Sequence, residues 1–176
     1  MSDEEFTAFA RARTPQLYRS AYLLCGDHHG AADLVQETLA KVFVKFRRID
    51  NPAAYAQTTL TRTFISARRR RSSGELPTAD VAEPSGPSAW GPGRADDDAH
   101  RTELRIAVVD ALRGLAPADR AVLVLRYLED LSVEETAQRM GVSAGAVRSR
   151  SKRALERVRP LLDGSLAVIP EKGPLT

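Results

Sequence analysis

Apolar residues recur along this chain three and four positions apart, and no stretch alternates apolar and polar positions as a half-buried strand does. The pattern predicts an all-α protein. Near the N-terminus, Ser2 and Glu5 have capping-box spacing and are followed by Phe6, Phe9 and Ala10. Thr14-Pro15 restarts a helix with Leu17, Tyr18, Ala21 and Leu24 inward, ending near Gly26. Asp27 caps a third, whose inner stripe is Ala31, Val35, Thr38, Leu39, Val42 and Phe46. Its other side carries Asp33, Gln36, Glu37, Ala40 and Lys41. Asn51-Pro52 opens a fourth, with Ala56, Leu60, Thr63, Phe64 and Ala67 inward. Asn51, Tyr55, Thr58, Thr59, Arg62 and Ser66 lie at its start and outer face, and it runs into Arg68, Arg69, Arg70 and Arg71.

Helical spacing returns at Leu104, Val108, Ala111, Leu112 and Leu115. Ala116-Pro117 then starts a helix with Val122, Leu125 and Leu128 inward. The segment Leu131 to Arg150 predicts a helix-turn-helix with both helix starts written out. Ser132 and Glu135 form a capping box, and Ala137 is small enough for a second helix to cross closely. Gly141 can take the left-handed conformation that ends the first helix, and Ser143 caps the second. Advancing 100° per residue from Val147 places Val147, Ser151, Ala154, Val158 and Leu161 inward. It leaves Gly145, Arg148, Ser149, Lys152, Arg153, Glu156 and Arg159 outward. A basic, small-residue outer face on the second helix suits a DNA major groove: arginine offers a fork to guanine, lysine and serine suit phosphates. The plainer alternative is a solvated charged face. Pro160 ends or kinks this helix.

Charge and composition divide the chain. Residues 1–71 carry twelve basic against seven acidic side chains, residues 72–100 one against six, and residues 101–164 twelve against nine. Pro77, Pro84, Pro87 and Pro92 with several Gly and Ser predict a flexible acidic linker over 72–100, in which Trp90 stands out. Two small helical domains, 1–71 and 101–164, and a tail at 165–176 complete the expected organisation. Two basic modules suggest two contacts with a polyanion. Cys25 is the one cysteine, which fits a reducing cytoplasm. No apolar run approaches membrane-spanning length, and the acidic Ser2-Asp3-Glu4-Glu5 start is unlike a signal peptide.

Two motifs together carry a family resemblance. One is Gly26-Asp27 followed by Ala31-Ala32-Asp33-Leu34-Val35-Gln36-Glu37-Thr38-Leu39-Ala40-Lys41-Val42; the other is Gly141-Val142-Ser143 through Val147-Arg148-Ser149-Arg150 to Arg153-Ala154-Leu155. Over residues 5–162 the chain resembles bacterial RNA polymerase sigma factors of the extracytoplasmic-function (group IV) type, in particular the actinobacterial sigma-E branch. The resemblance implies that 1–71 is sigma region 2 and 101–164 sigma region 4. It implies that Asp33, Gln36, Glu37, Ala40 and Lys41 grip the clamp helices of the largest catalytic subunit of core polymerase, with the flap of the second-largest subunit a further contact. It implies that Asn51, Tyr55, Thr58, Thr59, Arg62, Ser66, Arg68, Arg69 and Arg70 meet the −10 promoter element as it melts. Here the chain has Thr61, Thr63 and Ser66-Ala67 where the family often has asparagine and then tryptophan. Ser143, Gly145, Arg148, Ser149, Lys152 and Arg153 would meet the −35 element. An anti-sigma factor is an implied partner, and the free chain is expected as a monomer that hides its DNA faces between its modules or against that partner.

Without the resemblance, the outer face of the third segment reads as a solvated bundle face and the arginine run as a nonspecific basic tail. A stand-alone helix-turn-helix regulator is the main alternative function, but it usually needs dimer symmetry and no heptad pattern is evident. An enzyme carrying a DNA-binding domain is a second; the N-terminal half lacks a cluster of catalytic type. Cys25, His28 and His29 gather at one loop, but only His100 remains as a further His or Cys ligand. No metal, cofactor or catalytic residue is expected.

Overall fold

The computed structural model describes residues 3–74 and 95–162. Among these residues every regular element is helical: α1 (Asp3–Cys25), α2 (His28–Lys45), α3 (Pro52–Gly74), α4 (Ala95–Arg113), α5 (Pro117–Leu123), α6 (Val133–Met140) and α7 (Ala144–Val158), with short 3-10 and π turns between or after them. Residues 72–74 belong to α3 and 95–100 to α4, so helix extends into both ends of the segment expected as a linker. Trp90 and the tail lie outside the described residues.

The first two predicted helices are one. α1 runs through Pro15. An internal proline forfeits one backbone hydrogen bond and crowds the preceding turn, at about 3 kcal/mol or more. Packing of both halves offsets it. Phe6 stacks edge-on against Phe43 and Phe46, with ring centroids 4.9 and 5.3 Å apart. Leu17, Ala21 and Leu24 are buried at the other end. Thr14 does not cap a new helix; its hydroxyl donates to the Ala10 carbonyl at 2.7 Å. Gly26 then turns the chain at φ +83°, and the Asp27 carboxylate accepts from the Gly30 N–H at 2.6 Å to start α2. Asn51 starts α3 in the same way, accepting from Ala54 N–H at 3.0 Å.

In the second module α5 passes into a π turn, Val124–Leu128. The added residue per turn rotates the helix face, so Val122 and Leu125 are buried as expected while Leu128 is 48 % exposed. A similar change of phase follows α7. The 3-10 turn Arg159–Leu161, containing Pro160, leaves Leu161 63 % exposed and buries Leu162 instead.

The two modules share one core: Leu17, Leu24, Leu60 and Phe64 from the first and Leu112, Leu115, Val122 and Leu125 from the second belong to a single apolar cluster. Arg120, only 7 % exposed, lies at their junction. Its guanidinium donates to the Leu24 carbonyl at the end of α1 (2.6 Å), to the Arg113 carbonyl at the end of α4 (2.7 Å) and to the Leu115 carbonyl just beyond it (3.4 Å). It also lies 5.8 Å from the centre of the Phe64 ring. Helix C-termini leave carbonyls unsatisfied and carry partial negative charge, which makes them fitting partners for a buried cation. Burial, reinforced by nearby Arg68, lowers the Arg120 pKa to about 10, so the group stays charged at neutral pH. Gly26 is held against the same junction; a Cβ there would approach the Arg113 side chain to 2.5 Å.

Replacing Arg120 by alanine strands these carbonyls in the interior. We expect a loss of about 3 kcal/mol in urea unfolding of the whole chain, from charged hydrogen bonds left unmade. A loss below about 1 kcal/mol would show that the junction does not depend on this side chain.

Candidate nucleic-acid and partner interfaces

The helix-turn-helix forms with the local geometry its sequence encodes. Ser132 Oγ accepts from the Glu135 N–H at 3.1 Å, and the Glu135 carboxylate accepts from the Ser132 N–H at 2.8 Å. Gly141 adopts φ +69°, ψ +40°. The Val142 N–H returns to the Ala137 carbonyl and the Gly141 N–H to Gln138, which is a Schellman ending for α6. Ser143 Oγ accepts from the Ala146 N–H at 3.1 Å and starts α7.

On α7, Val147, Ser151, Ala154 and Val158 are buried. Ser143, Gly145, Ser149, Lys152 and Arg153 are exposed, with Arg148 half-buried among them. Arg148 reaches Glu134 on α6 at 3.4 Å. Arg150 is turned the other way and pairs at 3.2 Å with the buried Asp119, tying α7 to α5. The six residues expected at the −35 element thus occupy the first turns of α7 and its outer side, on a scaffold fixed by Arg150 and the buried stripe.

The face of α3 expected at the −10 element is more heterogeneous. Tyr55, Thr58, Thr59 and Arg68 are half-buried, and Asn51, Arg62, Ser66, Arg69 and Arg70 are exposed. The Asn51 carbonyl oxygen is occupied as the helix cap. Thr61 and Thr63 are buried, and Thr63 accepts from Lys41 Nζ at 2.9 Å. Arg62 is engaged by the other module: Nε and Nη2 donate to the Arg139 and Gln138 carbonyls, each at 3.1 Å.

On α2, Asp33, Gln36, Glu37 and Ala40 are exposed, as is Lys41, whose ammonium also pairs with Glu37 at 2.7 Å. Sequence reasoning passed over Phe43 and Val44, which are 50 and 81 % exposed. They border a groove with Asp3, Phe6, Phe46, Arg47 and Arg48. An apolar pair lying off the Val35, Thr38, Val42 stripe was the available signal.

Among the described residues no group of three or more His, Cys, Asp or Glu could hold a metal, and no helix is long and apolar enough to cross a membrane. Cys25 is buried. His28 Nδ1 lies 2.7 Å from the Tyr18 hydroxyl, with its ring against Tyr22.

The comparisons with known proteins agree with this geometry. Residues 9–74 match the family described as Sigma-70 region 2, and residues 111–160 match Sigma-70, region 4. The RNA polymerase sigma-E factor of Streptomyces coelicolor is 37 % identical, over 88 % of this chain and 84 % of that protein. The ECF RNA polymerase sigma factor SigL of Mycobacterium tuberculosis is 30 % identical, over 81 and 80 %. Among solved structures, the sigma factor RpoE of Bartonella quintana, in complex with the anti-sigma factor NepR, aligns with a TM-score of 0.66 at 25 % identity, covering 92 % of this chain and 99 % of that one.

The capping box gives the helix-turn-helix a signature in pH. Hydrogen bonds from the Ser132 backbone, then from its side chain, hold the Glu135 pKa below the ordinary value of 4.5. A depressed carboxylate stabilises the fold above that value, and the contribution is lost as pH falls through the folded-state pKa. A Glu135→Gln variant should therefore melt below wild type at pH 7, with the gap closing below about pH 4.5. A gap independent of pH would show that the carboxylate's charge is irrelevant.

Proposed function

Because the chain belongs to the extracytoplasmic-function sigma factors of bacterial RNA polymerase, which bind core polymerase and direct promoter-specific initiation, we propose a division of that work among its helices. The exposed face of α2, Asp33, Gln36, Glu37, Ala40 and Lys41, docks on the clamp helices of the largest subunit. Its acidic and amide groups suit a partly basic protein helix better than DNA. The face of α3 from Asn51 to Arg70 meets the −10 element: half-buried Tyr55, Thr58 and Thr59 can receive an unstacked base while Arg62, Arg69 and Arg70 neutralise phosphates. The first turns of α7 enter the major groove at the −35 element. Ser143 and Gly145 bring the helix N-terminus toward the phosphates, and Arg148, Ser149, Lys152 and Arg153 address base edges and backbone.

The observation that carries this reading is the pairing of a capped helix-turn-helix, whose exposed face is basic, with a second helix bearing hydroxyl, aromatic and arginine side chains. The division that goes with this reading is 1–71 for core binding and promoter opening, 101–164 for upstream recognition, and the acidic segment between them as strap. The protein acts without chemistry of its own and works in the cytoplasm. An anti-sigma factor is its regulatory partner, a reading supported by likeness to the Bartonella sigma factor solved with one.

Run-off transcription with core polymerase on the chain's own upstream region tests the assignment. Transcription from a defined start should require the protein. It should fall by about tenfold or more in Arg148→Ala/Lys152→Ala, since each good base contact contributes about 1–3 kcal/mol. Glu37→Lys should instead weaken co-elution with core polymerase. Undiminished transcription by the double variant would remove α7 from upstream recognition.

A further inference from the structure

The arginine expected at melted DNA also joins the two modules. Arg62 extends from α3 to the C-terminal end of α6 and donates to the carbonyls of Gln138 and Arg139, residues 76 and 77 positions away. The Schellman turn already uses Ala137 and Gln138 carbonyls for backbone N–H groups. Arg62 takes up the spare acceptor capacity of Gln138 and the otherwise terminal carbonyl of Arg139, and brings positive charge to the negative end of the helix dipole. A Cβ on Gly141 would meet Arg62 Nη2 at 3.5 Å, ordinary van der Waals contact. The guanidinium therefore acts as a C-cap supplied to the helix-turn-helix by the other module.

This arrangement cannot read a promoter. The −10 and −35 elements lie about 25 base pairs apart, and at 3.4 Å per base pair their centres are roughly 85 Å apart along the duplex. Here the recognition module touches α3 directly, through Arg62 and through the Arg120 guanidinium over the Phe64 ring. The modules must part before both elements are engaged, and parting frees Arg62. The α7 face, in contrast, stays exposed in the closed form.

We propose that Arg62 is a two-position latch. In the free chain it caps α6 and keeps the modules closed; in the promoter complex the same guanidinium is released to the DNA backbone at the −10 element. The two positions are mutually exclusive, so core polymerase must supply the opening before α3 meets DNA. The proposal rests on the reading that this face of α3 contacts promoter DNA, and the experiment separates the two.

The full-length chain is titrated into core polymerase, and run-off transcription is then measured at saturating core, for wild type, Arg62→Ala, Arg62→Lys and Arg157→Ala, the last at an exposed arginine of α7 outside the proposed interfaces. If closure competes with binding, apparent affinity scales with the open fraction. Removing two charge-assisted hydrogen bonds should tighten core binding by about tenfold in Arg62→Ala. The same variant should transcribe poorly once bound. Arg62→Lys, which keeps the charge but loses the fork, should also bind core more tightly while transcribing well. Arg157→Ala should leave core affinity unchanged, which separates the latch from a general effect of charge. Unchanged core affinity in both Arg62 variants would overturn the latch. Tightened binding with full transcription by Arg62→Ala would overturn the second position, and with it the placing of this face at DNA.

Discussion

The guanidinium of Arg120 closes the ends of two helices that belong to different modules. Leu24 at the end of α1, Arg113 at the end of α4 and Leu115 just beyond it each offer it a carbonyl. Without it, those acceptors would face a dry junction between Phe64, Leu115 and Leu24. The constraint is strict because a buried charge tolerates few alternatives: its partners must stay in place, or water must enter. The tight turn at Gly26, where Arg113 leaves no room for a side chain, lies at the same junction. So the position of α5, and through the Arg150–Asp119 pair that of α7, is referred back to the end of α1.

That arrangement presents the protein's surfaces unequally. The basic side of α7 is open, the acidic side of α2 is open, and part of the outer face of α3 lies against α6. On the proposed assignment, the chain is thus most compact where its modules must later part. The contacts at that seam differ in kind. Arg120 is buried and multiply bonded, whereas Arg62 is exposed and holds two carbonyls at a helix end. Exposed hydrogen bonds exchange readily with water, so the outer contact opens at less cost than the inner one.

What the sequence made legible was local. Caps at Asp27, Asn51, Ser132 and Ser143 and the left-handed Gly141 each involve partners within a few residues, and all five form as their residue types predict. The buried stripe of α7 followed from helical period alone, up to the point where Pro160 changes that period. What failed was decided over longer range. Pro15 does not break α1 because Phe6 and Leu17, on either side of it, both pack into the bundle. Leu128 was assigned inward by a period that the π turn interrupts. For the candidate interfaces, exposure of the α2 and α7 faces was legible, while the engagement of Arg62 by a helix 76 residues away was not. Nothing in the spacing of one arginine encodes a contact with carbonyls so distant in the chain.

The central claim is that the free chain is a single closed body that core polymerase opens. It is tested most directly by the distance between two spectroscopic labels, one at Ala32 on α2 and one at Arg153 on α7, measured first in the free protein and then in the complex with core polymerase and promoter DNA. The account predicts one narrow, short distance in the free chain and a shift to a distance tens of Å longer in the complex, set by the roughly 85 Å between promoter elements. A free chain whose labels already span a broad, long distribution would contradict it.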